Sequence, residues 1–530
     1  MPNWFRLALS LLQFQAPLHL SRVSLTADVP DKRIAIVGGG TAGIVMLKTL
    51  VDDLPKDLTQ TWEIVLFEQR DDVGGIWYPD PHTPHPPDLP ESPLYPRLRT
   101  NTPHPSMTIP QFQFPPGTAL FPNHAFVHQY HKSMISRWNL SSYIHLRHEV
   151  LAADWHGDNV SGHWQLTALD RTHNRTVHAG FDHLVVASGH NQYPYEPKFQ
   201  GQQVWEASAP GRKVLHSIFY REPEVYRGRN VLVVGGGASG RDISQQVVRF
   251  ANSTYVSLRS DSMRLLPLPF PHIPGVERVG AISHFTPHAP VFEDGTSLPQ
   301  IDTVLLATGY ELRVPFLSFI RNTSLSTPLP DPHDCDALTN NGRYLRPLFR
   351  HVLSLAPTHA PLALAFIGLP IFVSNGISDF AQALLVAHAL ADPALLPPAS
   401  ALLADLRAQE AALDNPARIG HRIVQPGGGT AYQDELVAIL QDSGREGGGI
   451  PSRGTRFTEP WREFATRESG RLRLAWLKIE ALGKDEVRKW LGSVKRGDEA
   501  EWVDLMERLA EWFKEQMWSS GTRRLIGAPT

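Results

Sequence analysis

The sequence predicts an α/β protein carrying two Rossmann-like units, on three observations. An apolar strand pattern, Ile34-Ala35-Ile36-Val37, runs into Gly38-Gly39-Gly40-Thr41-Ala42-Gly43 and then into a helical pattern. The same order recurs about 200 residues later, where Asn230-Val231-Leu232-Val233-Val234 meets Gly235-Gly236-Gly237-Ala238-Ser239-Gly240. The second strand of each unit ends near a charge, Glu68 in the first and Arg259 in the second, and the two signs are opposite. Strands alternating with helices in this way build parallel sheets covered on both faces.

Composition bounds the reading. A chain of 530 residues allows two to four domains and a large core without disulfides. Hydrophobic residues make up 42% and charged residues 19%, the balance of an ordinary globular protein. The formal net charge of -3 and the lack of a long basic run argue against a nucleic-acid partner. Cys335 is the one cysteine, so no internal disulfide and no Cys-x-x-Cys redox pair exists. It stands between Asp334 and Asp336, which disfavour a thiolate, and reads as a loop residue. No stretch reaches the roughly 18–20 apolar residues of a spanning helix, so no transmembrane span is expected. Leu362–Val373 and Ala381–Ala391 are too short and read as core. Residues 1–31 read as an N-terminal extension, with a weak mitochondrial presequence as the alternative.

The elements follow in order. A helical pattern from Ala42 to about Val51 places Ile44, Leu47, Leu50 and Val51 on one side. The strand Glu63–Phe67 follows and completes a βαβ unit. From Pro79 to Pro96 the density of proline excludes helix and central strand, so this segment reads as an extended insertion beside the first loop. In the second unit a helix carries Ile243, Val247, Val248 and Phe250, and a strand Tyr255–Arg259 follows. Two further apolar strands end in glycine turns, His183–Gly189 and Asp302–Tyr310. Glu501–Met517 reads as a packing helix and Gln441–Arg456 as a polar loop.

Each Gly-x-Gly-x-x-Gly has a physical logic: a tight turn, a close backbone approach to a diphosphate, and close packing of helix on strand. The diphosphate then sits on free N–H groups at the positive end of the helix. Gly38, Gly40 and Gly43 are thereby assigned to one cofactor, and Gly235, Gly237 and Gly240 to another, with Ser239 and Asp242 nearby. Glu68, 25 residues after Gly43, suits ribose hydroxyls and would repel a 2′-phosphate. Arg259, 19 residues after Gly240, suits a 2′-phosphate. The first site therefore selects FAD or NAD, and the second selects NADPH.

These features resemble the flavin-containing monooxygenases. Gly74-Gly75-Ile76-Trp77 looks like that family's Gly-Gly-x-Trp, and Tyr95-Pro96-Arg97-Leu98-Arg99-Thr100-Asn101 like its Tyr-x-x-Leu-x-Thr-Asn. Leu305-Leu306-Ala307-Thr308-Gly309-Tyr310 looks like its Ala-Thr-Gly-Tyr strand, and Ala365–Leu369 like its late glycine strand. Phe121-Pro122 and His128-Gln129-Tyr130 look most like the fungal and yeast branch, some of whose members oxidise thiols. The linker His216-Ser217-Ile218-Phe219-Tyr220-Arg221 matches the second half of the family's motif, although Gly211 lies one residue further from His216 than in that motif. Its Tyr-Arg ending differs from the Trp-Pro of Baeyer–Villiger enzymes. His216 itself reads as a hinge residue and not as a base.

The resemblance implies an FAD domain split by an inserted NADPH domain. The expected boundaries are 32–215 and 300–400 for the FAD domain, 216–299 for the NADPH domain, and 401–530 for a mostly helical C-terminal extension. It implies further cofactor contacts at Thr41, Ala42, Gly75, Ile76, Trp77, Thr100, Thr102, Val150, Arg241 and Gly309, and it makes Asn101 the candidate catalytic residue. It also implies the reaction: NADPH reduces FAD, oxygen forms a C4a-hydroperoxyflavin, and a soft sulfur or nitrogen of a small molecule takes one oxygen atom. The alternatives are an N-hydroxylating or Baeyer–Villiger enzyme, or a non-catalytic protein that binds both nucleotides. The expected partners are a small-molecule substrate and molecular oxygen, with a homodimer left open. The expected location is cytoplasmic, with mitochondrial targeting or peripheral ER association as alternatives.

Overall fold

Two parallel sheets organise the chain. In the computed structural model residues 30–82, 84–259, 270–324, 336–424 and 427–519 are described. Cys335, residues 1–29 and residues 520–530 lie outside the described residues.

The first sheet has seven strands, and its centre is built from Leu364–Phe366, His183–Val186, Lys32–Val37 and Trp62–Phe67, all parallel. Ile34, Ala35 and Ile36 have no exposed surface, which explains why this strand reads as a continuous apolar run and not as an alternation. The helix Thr41–Lys48 leaves the strand directly after Gly40 and passes into a π-helical turn, Thr49–Asp53. Lys48, the last residue of the helix, pairs across this turn with Asp53 at 2.5 Å. The expected helix end near Val51 therefore falls inside an irregular turn. Helix Asn375–Ala391 packs on Thr41–Lys48 and is buried from Gly376 to Leu390, as expected of a helix apolar on all sides.

The second sheet has five parallel strands in the order Val276–Val279, Ser253–Ser257, Asn230–Val234, Thr303–Leu306 and Lys213–His216. Thr303–Leu306 is its fourth strand, paired with Asn230–Val234 on one side and the edge strand Lys213–His216 on the other. This strand was expected in the returning half of the first domain, from residue 300. The second sheet instead reaches past 216–299 on both sides. A short apolar strand declares that it is buried, but not which of two parallel sheets receives it. The first sheet is nonetheless discontinuous, because Leu364–Phe366 returns to it after the second sheet is complete.

Three antiparallel strands, His148–Gly157, Gly162–Asp170 and Arg175–Phe181, cover one side of the first sheet. Among the described residues no helix or strand occurs between Trp77 and His104, so the proline-rich insertion is irregular as expected. Beyond residue 398 the chain is mostly helical. Helices Pro460–Arg467, Ser469–Leu482, Lys484–Leu491 and Glu499–Ser519 share a core around Trp476 and Trp502, and that core closes on Leu120 and Phe121. This contact lays the C-terminal helices against the segment that carries Thr100 and Asn101. Among the described residues no helix is long and apolar enough to cross a membrane.

Candidate functional site

The two glycine loops are built alike. Gly38 and Gly235 hold φ of +113° and +119°, and a Cβ on either would strike the carbonyl oxygen of Ala187 or Ala307, at 2.5 and 2.3 Å. Those two alanines end the neighbouring strands, so Ala187-Ser188-Gly189 and Ala307-Thr308-Gly309 do the same work in the two sheets. The third glycines, Gly43 and Gly240, would each place a Cβ 1.9 Å from the carbonyl oxygen of the first. Gly237 differs: a Cβ there would meet nothing within 4 Å. The space in front of it is open. That is the open cradle a diphosphate needs, and the helix Ala238–Val247 starts directly behind it.

Glu68 is buried at the end of its strand and accepts N–H groups from Gly39 at 2.7 Å and Arg70 at 2.8 Å. Burial raises its pKa, and the two N–H groups oppose that rise. The carboxylate thus shapes the first loop besides facing it, a duty the sequence did not announce. Arg70 then fixes the next turn through the carbonyls of Gly75, Tyr78 and Pro79, with Tyr78 stacked 4.2 Å from its guanidinium. This places Ile76 and Trp77 on the wall of the central cavity. Ser92 donates to the carbonyl of Ile76 at 2.8 Å, and Glu91 pairs with Arg70 at 3.0 Å, so the proline-rich insertion does lie against the first loop.

The stretch 95–102 threads between the second glycine loop and the C-terminal helices. Tyr95 donates to Asp242, whose other partner is the Gln246 amide at 2.9 Å. Burial raises the Asp242 pKa, while Tyr95 and Arg473 lower it. Arg99 pairs with Glu480 at 2.5 Å, and Arg473 donates to the Thr100 carbonyl at 3.0 Å while covering the Phe121 ring. Thr100 is buried, and Asn101 and Thr102 face the cavity.

Two histidines beside the cavity are held neutral. His216 accepts from the Ile218 N–H through Nδ1 at 3.1 Å and therefore donates through Nε2 to the Gly309 carbonyl at 3.0 Å. Burial pushes its pKa down to about 4, and both nitrogens are committed. His131 meets the Thr41 hydroxyl at 3.0 Å, and burial pushes it down to about 3. Its Nδ1 has no partner among the described residues.

One cavity of about 2190 Å³ joins these parts. It exceeds twice the roughly 300–1,000 Å³ of an ordinary ligand pocket, so it has room for more than one ligand. Of the expected site residues, Thr41, Ile76, Trp77, Asn101, Thr102, Gly235, Gly237, Ser239, Arg241, Asp242, Arg259 and Gly309 line it. Gly38, Gly40, Gly43, Glu68 and Gly75 gather beside it at the first loop, where Gly40 and Gly75 approach so closely that a Cβ on Gly75 would lie 2.9 Å from the Gly40 Cα. Val150 is the outlier. It sits on the strand His148–Gly157 inside a hydrophobic cluster and does not line the cavity. Sequence reasoning missed His131, Arg343, Arg422 and Arg473, all of which line the cavity. None belongs to a motif or a glycine loop. Among the described residues no cluster of His, Cys, Asp or Glu suits a metal ion.

Fold and site together define a two-dinucleotide architecture: two glycine loops on two parallel sheets, opening on one shared cavity. Residues 31–266 match the FMO-like family, described as flavin-binding monooxygenase-like. The chain is similar to the trimethylamine monooxygenase of Pelagibacter sp., 28% identical over 300 residues that make up 54% of this chain and 62% of that protein. It is also similar to the thiol-specific monooxygenase of Saccharomyces cerevisiae, 29% identical over 294 residues, 54% of this chain and 62% of the yeast protein. Each of these two matches thus spans less than two thirds of the relative's length. Among solved structures, the S-allyl-L-cysteine S-oxygenase of Allium sativum superposes with a TM-score of 0.65 at 25% identity, covering 91% of this chain and 99% of that one. The flavin-containing monooxygenases are thus the proteins this chain is similar to.

Proposed function

We propose that this protein is an FAD- and NADPH-dependent monooxygenase that oxygenates a soft sulfur or nitrogen of a small molecule. The observation that carries the reading is the pair of glycine loops with oppositely charged strand ends, opening on one cavity large enough for a nicotinamide and a substrate together. The residues fit the two cofactors: a diphosphate cradle at each loop, Glu68 for unphosphorylated ribose and Arg259 for a 2′-phosphate. A flavin held at the first loop would supply two-electron redox chemistry, with NADPH as reductant and molecular oxygen as oxidant, one oxygen atom going to the substrate and the other leaving as water.

The chain's own residues do the rest. Gly38, Gly40 and Gly43, with Thr41, Ala42 and Gly75, cradle one diphosphate. Gly235, Gly237 and Gly240, with Ser239 and Arg241, cradle the other. Trp77 packs a cofactor edge. Asn101, its backbone anchored through Thr100 and Arg473, presents to the cavity an amide that can both donate to and accept from bound groups. The Tyr95–Asp242 bond ties this strip to the helix behind the second loop, which would hold the Asn101 amide in place relative to that loop. Apolar walls at Ile76, Leu369 and Phe372 keep water from the reacting atoms. His216, neutral and fully committed, carries no proton in the reaction.

The test is direct. Purified protein should be yellow and should consume oxygen with NADPH. It should convert a thiol, thioether or amine to its oxygenated product, with little turnover of a cyclic ketone. Protein that holds no flavin and accepts none refutes the proposal, and ketone-to-ester conversion would move it to the Baeyer–Villiger class.

A further inference from the structure

The helix Ser469–Leu482 turns its two sides to different neighbours. Leu472, Ala475, Trp476 and Ile479 are buried in the core of the C-terminal helices. The opposite side, at Arg473, Leu474, Leu477, Lys478 and Ala481, lines the cavity. At about 100° per residue these five positions fall within about 140° of one another. The side of a helix turned away from its own core is ordinarily polar. This side carries two leucines, and Leu474 is 50% exposed. Phe513 from the last helix adds its ring to the same wall, 5.0 Å from the Lys478 ammonium. Around the helix, Leu477, Ala481 and Leu474 therefore form an apolar strip flanked by Arg473 on one side and Lys478 on the other. The acids nearby are taken by other groups. Glu468 pairs with Arg471 at 2.5 Å and Arg467 at 3.5 Å, and Glu480 holds Arg99 at 2.5 Å and the Trp476 indole N–H at 3.0 Å. Among the described residues neither Arg473 nor Lys478 has an ion-pair partner. Burial lowers the Arg473 pKa, and Asp242 and Glu480 oppose this from beyond ion-pair distance. Arg473 commits Nη1 to the Thr100 carbonyl at 3.0 Å, which starts the strip one residue from Asn101.

We infer that this face of the helix Ser469–Leu482 is the substrate-recognition wall, and that the substrate carries a carboxylate on an apolar chain. The inference rests on the proposed function and deepens it by naming the substrate class. The two diphosphates belong to the glycine loops, which leaves this strip to the substrate. The soft sulfur or nitrogen lies beside Asn101, the chain rests on Leu474, Leu477 and Ala481, and the carboxylate meets Lys478. Positions 473 and 478 are separated by a rise of about 7.5 Å, the length of a short alkyl chain. An ammonium without a carboxylate partner, set beside apolar side chains, attracts an anion and repels a second cation. Lys478 is exposed, so it acts on capture of the substrate and hence on KM, not on the chemical step.

The test compares 5-(methylthio)pentanoate, its methyl ester and 5-(methylthio)pentylamine, which share one chain and differ in the charge at its end. The full flavin-loaded chain is run with saturating NADPH, and sulfoxide formation is measured. The parent should prefer the acid over the ester by about tenfold in kcat/KM, through KM, and should take the amine least well. Lys478→Glu should lose this order and accept the amine at least as well as the acid, whereas Lys478→Arg should keep it. Leu477→Asn should raise KM for acid and ester together. A flavin spectrum and Tm equal to the parent's show that the variants are folded. Equal kcat/KM for acid and ester in the parent overturns the inference and leaves the monooxygenase reading standing, and so does a Lys478→Glu variant that keeps the parent's order. A tenfold weaker Kd for NADP⁺ in Lys478→Glu also overturns it, because the strip then serves the cofactor. A parent that oxygenates no sulfide, thiol or amine fails the underlying reading. Calorimetry of the acid against the ester on NADP⁺-loaded protein then decides the wall by itself: tighter binding of the acid, lost in Lys478→Glu, supports it, and equal binding overturns it.

Discussion

Gly237→Ala and Gly240→Ala differ by three positions in one loop and should fail in opposite ways. A Cβ on Gly240 would lie 1.9 Å from the Gly235 oxygen and 2.9 Å from its carbon, against the 3.4 Å at which ordinary contact begins. Both obstacles are backbone, so the strand–helix junction must open by more than an ångström. Forced overpacking of this kind costs about 1–3 kcal/mol or more. At about 2–4 °C per kcal/mol for a domain of this size, Tm should fall by several degrees. Gly237 meets no neighbour, and its φ of -71° and ψ of -170° suit alanine. Its Tm should therefore stay within about 2 °C of the parent. The added Cβ instead projects about 1.5 Å into the diphosphate cradle. Displacing one charge-assisted N–H contact from about 2.8 Å to beyond 3.5 Å removes about 1.5–3 kcal/mol, a 10- to 100-fold weaker Kd for NADP⁺. Scanning fluorimetry gives the first quantity and calorimetry the second. The reasoning fails if Gly237→Ala binds NADP⁺ like the parent, or if it melts as early as Gly240→Ala.

Four other outcomes follow from the same geometry. Arg259→Ala should raise KM for NADPH far more than KM for NADH, and equal effects would remove this arginine from the 2′-phosphate. Asn101→Ala, on an exposed position of the cavity wall, should keep flavin content and NADPH oxidation but release more peroxide per product formed; full coupling in the variant would discard its catalytic assignment. His104 is buried with both ring nitrogens unpartnered, and burial pushes its pKa from 6.5 to about 3. Its neutral form is the folded one, so the unfolded chain takes up a proton first. The stability this ring contributes is present above about pH 6.5 and is lost as pH falls from there toward 3, about 2 kcal/mol by pH 5. Tm should drop over that window, and His104→Leu should flatten part of the drop; an identical pH profile in the variant would contradict this. Glu410 accepts from Arg346 at 2.8 and 3.0 Å and from the Tyr344 hydroxyl at 2.8 Å, all buried. Glu410→Ala should cost about 3–5 kcal/mol by removing the carboxylate from this buried ion pair, and the double variant with Arg346→Met should melt higher than the single one.

The glycine loops were readable because their logic is local. Spacing, strand before and helix after all lie within about a dozen residues, and Gly38, Gly43, Gly235 and Gly240 stand as that logic requires. Glu68 was readable as a strand-end acid, yet its grip on Gly39 and Arg70 was not, since a motif does not say which lone pairs are already taken. Thr303–Leu306 was recognised as a buried strand and assigned to the wrong sheet, because apolarity carries burial but not neighbour identity. Val150 was expected at a cofactor and lies in a β-strand core, where a small apolar residue serves packing.

The sequence by itself marked the two glycine loops, the opposite charges at their strand ends, and the class of fold that presents them. Those features depend on steric and electrostatic relations between residues close in the chain. Only the tertiary structure decided what stands across the cavity from the loops. Arg473 reaches the Thr100 carbonyl across 373 residues, Tyr95 reaches Asp242 across 147, and Arg343 and Arg422 converge on Arg259 from a different unit. No spacing rule encodes such meetings, because they are fixed by how buried helices and two sheets pack in three dimensions.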